Sequence, residues 1–121
     1  MKVDGVKQAL SYYRRHGYIA GKVEGFVTTK RPIKADLFGI LDVVAVGYGQ
    51  TIGVQVCTLD DRDIAKHRKK MREAIQPTER DGLIDNKPTV DWLKVNGWII
   101  HLFKSGWSKK ENRILDLIEE M

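Results

Sequence analysis

The sequence predicts an α/β domain, a mixed β-sheet flanked by helices, and three observations predict it. The run Leu37-Phe38-Gly39-Ile40-Leu41-Asp42-Val43-Val44-Ala45-Val46 is nearly continuous and apolar, as in a strand buried on both faces. A second β-branched run, residues 51–58, follows after the turn residues Gly47-Tyr48-Gly49-Gln50, so the two read as a hairpin. Helical periodicity brackets this pair: Val6, Ala9, Leu10 and Tyr13 repeat at i, i+3, i+4, i+7 before it, and a long polar, basic segment follows it.

Taken in order, residues 4–16 form an amphipathic helix with Asp4 as N-cap and Gly17 as its stop. Residues 18–27 carry β-branched and aromatic side chains but two glycines, which suits an irregular or bulged strand. A basic loop, residues 28–35, leads into the hairpin. Asp60 or Asp61 then caps a helix running to about residue 74. Pro77, Gly82, Asn86 and Pro88 mark residues 76–88 as a loop. Thr89 caps a short helix closed by Gly97. Residues 98–104 form a further strand, and Ser108 caps a final helix that presents Ile114, Leu115, Leu117 and Ile118. The expected order is α-β-β-β-α-α-β-α.

A chain of 121 residues fits one domain, residues 1–121, large enough to bury a core without staples. With 42% hydrophobic and 31% charged residues, the composition is that of a folded globular chain. Cys57 has no second cysteine to pair with, which fits a reducing compartment. No apolar run approaches the roughly 18 residues that span a bilayer, and the polar start lacks the apolar segment of a secretion signal. The expected location is the cytoplasm. Twenty-one basic against 16 acidic residues give a net charge of +5, which favours a polyanionic partner. The charge is clustered. Arg62, Lys66, His67, Arg68, Lys69, Lys70 and Arg72 crowd one helix, and Lys30, Arg31 and Lys34 precede the apolar strand.

The chemistry-bearing feature is an aspartate inside an apolar strand. Ionised Asp42 among Ile40, Leu41, Val43 and Val44 is costly unless it is paired, binds a cation or reaches solvent at the strand edge. Gln55 is similarly a polar residue among β-branched ones, either a hydrogen-bonded core amide or a neutral hard ligand for Mg²⁺. On adjacent antiparallel strands the two side chains can point the same way.

These positions resemble the PD-(D/E)xK nuclease superfamily. Gly39-Ile40-Leu41-Asp42 matches the first half of its pattern, and Gln55-Val56-Cys57 stands at the place of the second. The wider blocks, residues 34–42, residues 53–56 and the later Asp91-Trp92-Leu93, Gly97 and Gly106-Trp107-Ser108-Lys109-Lys110, are similar to small phage nucleases and archaeal-type Holliday-junction resolvases. The resemblance implies a restriction-endonuclease-like fold and Mg²⁺- or Mn²⁺-dependent hydrolysis of DNA, branched DNA in particular. It also implies a homodimer with one site per strand, and a phage-encoded chain acting in its host's cytoplasm. Carried over, Asp42 is the first metal ligand, Gln55 the second, and Val56 lends its carbonyl. The sequence departs from the pattern twice: Gln55 replaces a carboxylate and Cys57 replaces the lysine. Glu24 or Asp36 can restore the lost negative charge, and Lys66 or another base on the following helix can replace the lysine. Arg62, Lys66 and Lys69, at i, i+4, i+7, are the expected DNA-backbone stripe, with Lys30, Arg31 and Lys34 as a second clamp. Ile64, Met71 and Ile75 are expected to pack inward. If neither repair is made, the chain is a nuclease-fold DNA-binding module without catalysis, and a protein-interaction domain is the reading with no nucleic acid at all. His16, His67 and His101 lack metal-ligand spacing, Cys57 has no evident histidine partner and reads as a small buried apolar residue, and the three tryptophans read as core.

Overall fold

A computed structural model describes the chain apart from residues 1, 24, 27–33 and 36, and gives the backbone alone for residues 25–26 and 34–35. Helix α1 spans Gly5–Arg15, and strands β1 (Ile19–Lys22), β2 (Gly25–Phe26) and β3 (Lys34–Ala35) follow. The hairpin β4 (Val43–Gly47) and β5 (Gln50–Cys57) leads to helix α2 (Asp61–Glu73). A second hairpin, β6 (Ile75–Arg80) and β7 (Leu83–Pro88), precedes helix α3 (Thr89–Val95), and β8 (Trp98–Ser108) and β9 (Arg113–Glu120) end the chain. The sheet is mixed and five-stranded, ordered β1-β4-β5-β8-β9, with β5 and β8 parallel and the other pairings antiparallel. The chain is therefore α/β, a mixed sheet flanked by helices. Among the described residues no helix is long and apolar enough to cross a membrane.

Strand alternation divides the core in two. Val43, Ala45, Ile52, Val54 and Phe103 face α1, where they meet Ala9 and Tyr13. Cys57, Ile100 and Leu102 face the other way, onto Ile64 and Met71 of α2. Asp4 caps α1 by accepting the Lys7 N–H at 3.1 Å. Asp60 caps α2 through the N–H groups of Arg62 and Asp63.

Six expectations are corrected. The apolar run over residues 37–46 is not one strand. Leu37 and Leu41 bridge each other across a tight turn in which Phe38 and Gly39 take φ of +54° and +76°, and β4 begins only at Val43. Buried Ile40 and Leu41 explain the run's apolarity without a strand. Residues 76–88 are not a loop: Asp81-Gly82, with φ of +53° and +78°, makes the two-residue turn that matches strand twist, and both prolines lie in a two-stranded ribbon outside the five-stranded sheet, where a missing donor is tolerated. The strand from residue 98 runs on to Ser108. The expected C-terminal helix is β9, whose Ile118 and Leu117 lie opposite Phe103 and Lys104 of β8, so the unpaired edge of a long strand claimed those residues. Thr89 is not a cap: Pro88 precedes the helix with no side-chain bond, and the buried Thr89 hydroxyl has no partner among the described residues. Of the three residues expected to pack inward beside the basic stripe, Ile64 and Met71 are buried, while Ile75 starts β6 and is exposed.

Candidate functional site

The site lies where β5 ends. Asp42 stands directly before β4, and its backbone still joins the sheet: its N–H donates to Val54 O at 2.8 Å, and its carbonyl accepts from Val23 N at 2.9 Å. Its carboxylate accepts two hydrogen bonds on Oδ2, from Gln55 Nε2 at 2.6 Å and from the Val56 backbone N–H at 2.8 Å. Asp42 and Gln55 therefore meet on the same side of the sheet, as adjacent antiparallel strands allow. Gln55 is only 2% exposed, and among the described residues its Oε1 has no hydrogen-bond partner. A buried amide oxygen left unpaired costs on the order of 1–3 kcal/mol. The Gln55 nitrogen also lies 3.5 Å from the Val56 carbonyl. The positive end of the amide thus occupies a slot between two oxygen acceptors.

Beside this pair opens a cleft of about 680 Å³, walled by the start of α1, the end of β5 and one face of α2. Asp42, Gln55, Val56 and Cys57 line it, and α2 contributes Asp63, His67 and Lys70. These three repeat at i, i+4, i+7, one residue on from the expected stripe of Arg62, Lys66 and Lys69, which is exposed and does not line the cleft. Lys66 is close enough to lower the Asp63 pKa but stands outside the lining. The base that α2 brings to the cleft is Lys70. Glu24, Asp36, Lys30 and Arg31 lie outside the described residues, as does the side chain of Lys34.

Sequence reasoning missed a second group. Ligand atoms of Cys57, Asp63 and His67 lie within 4.8 Å of one another, so the cysteine does have a histidine neighbour. The signal was present but faint. Ile64 and Met71 mark the inward stripe of α2, and a residue three on from Ile64, which is His67, must border it. What could not be read was that β5 would deliver Cys57 to the same place. The Thr58 N–H, donating to Asp63 Oδ2 at 2.8 Å, holds that carboxyl below its ordinary range, aided by the Thr58 hydroxyl and the nearby His67 and Lys66. Burial, with the Asp63 charge beside it, pushes the Cys57 thiol up to about 11. A thiol so placed is protonated at neutral pH and is no nucleophile.

Two further groups flank the sheet. Arg68 and Lys104 converge on Glu119, and the Arg68 bond holds the Glu119 carboxyl below its usual value. On the α1 face the Tyr13 hydroxyl bonds His101 Nδ1 at 2.7 Å. The tryptophans are less buried than expected: Trp92 is 46% exposed, with Lys87 Nζ 4.7 Å above its ring.

Comparisons with protein-family models, with curated proteins and with solved structures return no match to this chain. The fold and the cleft define its class on their own terms: an α/β protein with a carboxylate–amide pair and a Cys/Asp/His group lining one cleft at the end of a central strand.

Proposed function

We propose that this chain is a metal-dependent endonuclease that hydrolyses DNA phosphodiesters, with Asp42, Gln55 and the Val56 carbonyl as its hard-cation site. One observation carries the reading: the Asp42 carboxylate and a buried Gln55 amide with an unspent oxygen meet at 2.6 Å on the wall of an open cleft. The donor set fits Mg²⁺ or Mn²⁺, since all three groups offer oxygen. A half-turn of the amide presents Oε1 where Nε2 now lies, which gives the orphaned oxygen a role. When bound, the cation lowers the pKa of water and offsets phosphate charge.

The chain's own residues do the rest. Asp42 supplies the negative charge that attracts the cation. Lys70 is the base that stands in for the lysine absent at Cys57, and its ammonium stabilises charge on the scissile phosphate. Exposed Arg62, Lys66 and Lys69 on the neighbouring face of α2 contact the DNA backbone without reading sequence. The restriction-endonuclease-like reading of the fold is supported by the order α1, β1, β4, β5, α2, β8, with the acidic residue at the second sheet strand and Gln55 on the third. Resolution of branched DNA by a homodimer follows from the family resemblance, and the cytoplasm is its setting.

The test is cleavage of plasmid and of a synthetic four-way junction with Mg²⁺ or Mn²⁺. Nicking that Asp42→Ala abolishes and that Lys70→Ala lowers by about 10²-fold or more, as loss of a charge-stabilising group does, supports the reading. A second reading, a DNA-binding module without catalysis, is favoured by the neutral thiol at the lysine position. It predicts salt-dependent binding, no cleavage, and no effect of Asp42→Ala.

A further inference from the structure

We propose that Cys57, Asp63 and His67 form a second metal site, selective for a borderline divalent ion such as Zn²⁺ and distinct from the oxygen-donor site at Asp42. The inference does not depend on the nuclease reading. Three ligand types that together suit Zn²⁺ come from two elements, the end of β5 and the first turns of α2, and their ligand atoms lie within 4.8 Å of one another. Around a tetrahedral Zn²⁺, with bonds of about 2.0–2.3 Å, ligand atoms stand roughly 3.3–3.8 Å apart, so binding asks for a contraction of at most about 1.5 Å.

The two polar ligands are already oriented, one by the helix backbone and one by Thr58. His67 Nδ1 lies 2.8 Å from the Asp63 backbone carbonyl. A carbonyl can only accept, so Nδ1 carries the proton and Nε2 keeps its lone pair. That is the arrangement by which ligating histidines are fixed in tautomer and angle. Asp63 Oδ2 is held by the Thr58 N–H at 2.8 Å and the Thr58 hydroxyl at 3.0 Å, while Oδ1 stands 3.3 Å from His67 Nδ1, a contact that a cation on Oδ1 replaces. Asp63 and His67 are spaced i, i+4 on α2, so a rigid helix sets their separation. All three residues line the open cleft, where solvent or a ligand can complete the coordination sphere. On binding, the Cys57 S–H bond breaks, sulfur bonds the cation, and the proton leaves to solvent. The hard-cation pair offers no sulfur or nitrogen ligand and therefore favours Mg²⁺ or Mn²⁺, so the cleft sorts two kinds of ion.

Co²⁺ alone, titrated into the full chain, is the probe, read by absorption. Expected are a sulfur-to-cobalt charge-transfer band, intense tetrahedral visible bands, displacement by Zn²⁺, and release of one proton per ion. Cys57→Ser removes the charge-transfer band, and His67→Ala weakens Co²⁺ binding at least about tenfold. Asp42→Ala keeps the band. A weak octahedral spectrum without thiolate absorption, or a band that survives Cys57→Ser, overturns the proposal. If Cys57→Ser fails to fold by circular dichroism, the more exposed His67→Ala decides: undiminished Co²⁺ affinity there overturns it too. Absent DNA cleavage with an intact cobalt band would count against the nuclease reading alone.

Discussion

The β4–β5 and β6–β7 hairpins turn by the same local device and end in opposite surroundings. In each, a two-residue loop with both φ positive joins the strands: Tyr48-Gly49 at +53° and +72°, Asp81-Gly82 at +53° and +78°. This loop type follows the right-handed twist of paired strands. Yet β5 carries Ile52, Gly53, Val54 and Gln55 as four consecutive buried residues, whereas Leu83 and Ile84 of β7 are 75% and 73% exposed. Turn chemistry decides that a hairpin forms. Whether it enters a core depends on having apolar side chains on both faces and layers of α1 and α2 to meet them. The buried hairpin also carries Gln55, with Asp42 directly before it, because a carboxylate and an amide gain from low dielectric only if the surrounding strands hold them fixed.

The largest expected contrast uses one substitution twice. Ile52→Ala removes a core side chain and costs roughly 2–5 kcal/mol, while Ile84→Ala stays within about 0.5 kcal/mol. Chemical denaturation of both variants checks this, and equal losses would show the ribbon to be covered in solution. Next is the polar pair. Asp42→Ala strips the acceptor from Val56 N–H and Gln55 Nε2 and destabilises by about 1–3 kcal/mol. Its counterpart Thr78→Val, which removes an exposed bond to the Asp85 carbonyl, changes stability by less than about 0.5 kcal/mol.

Third are the turn glycines. A Cβ at Gly49 or Gly82 meets nothing within 4 Å, so alanine there costs only the left-handed backbone, about 1–2 kcal/mol. At Gly49 the loss lowers the global unfolding midpoint. At Gly82 it raises amide exchange in the ribbon and leaves the midpoint unchanged.

The smallest effect is on pH. Burial lowers the His101 pKa below 6.5, against the weaker pull of Glu120. The folded state thus favours neutral imidazole. Its stability is full above 6.5 and declines as pH falls from there through the lowered folded value, where the loss levels off. Denaturation between pH 8 and pH 5 should show this slope, flattened in His101→Gln, while exchange protection in the β6–β7 ribbon does not follow it.

Much of the local structure was legible. Asp4 and the pair Asp60-Asp61, of which Asp60 is the cap, announced their helices, because a short acceptor before a helical segment has one good use. Gly47 to Gln50 announced the first hairpin. Asp81-Gly82 was an equally strong turn signal, but Pro77 and Pro88 on either side argued for a loop, and only the placement of that ribbon outside the main sheet reconciles the two. At the C-terminus, Ile114, Leu115, Leu117 and Ile118 suit a helix stripe or a strand equally, since short apolar clusters satisfy either period. The partner chose: β8 offered an open edge, and Phe103 met Ile118 across it. The site followed the same division. Asp42 and Gln55 stood out as polar residues in an apolar setting, while the face of α2 that lines the cleft, Asp63, His67 and Lys70, was not singled out.

What the amino-acid order determined by itself is therefore what neighbours along the chain govern most strongly: the caps of α1 and α2, the turn of the first hairpin, the basic helix, and the two polar residues that an apolar setting does not carry without reason. Tertiary structure alone decided which face of α2 meets the cleft, which edge recruits the last strand, and that Cys57 lies against Asp63 and His67. Those outcomes depend on which surfaces exclude water together, and that free energy belongs to pairs of elements rather than to any one segment.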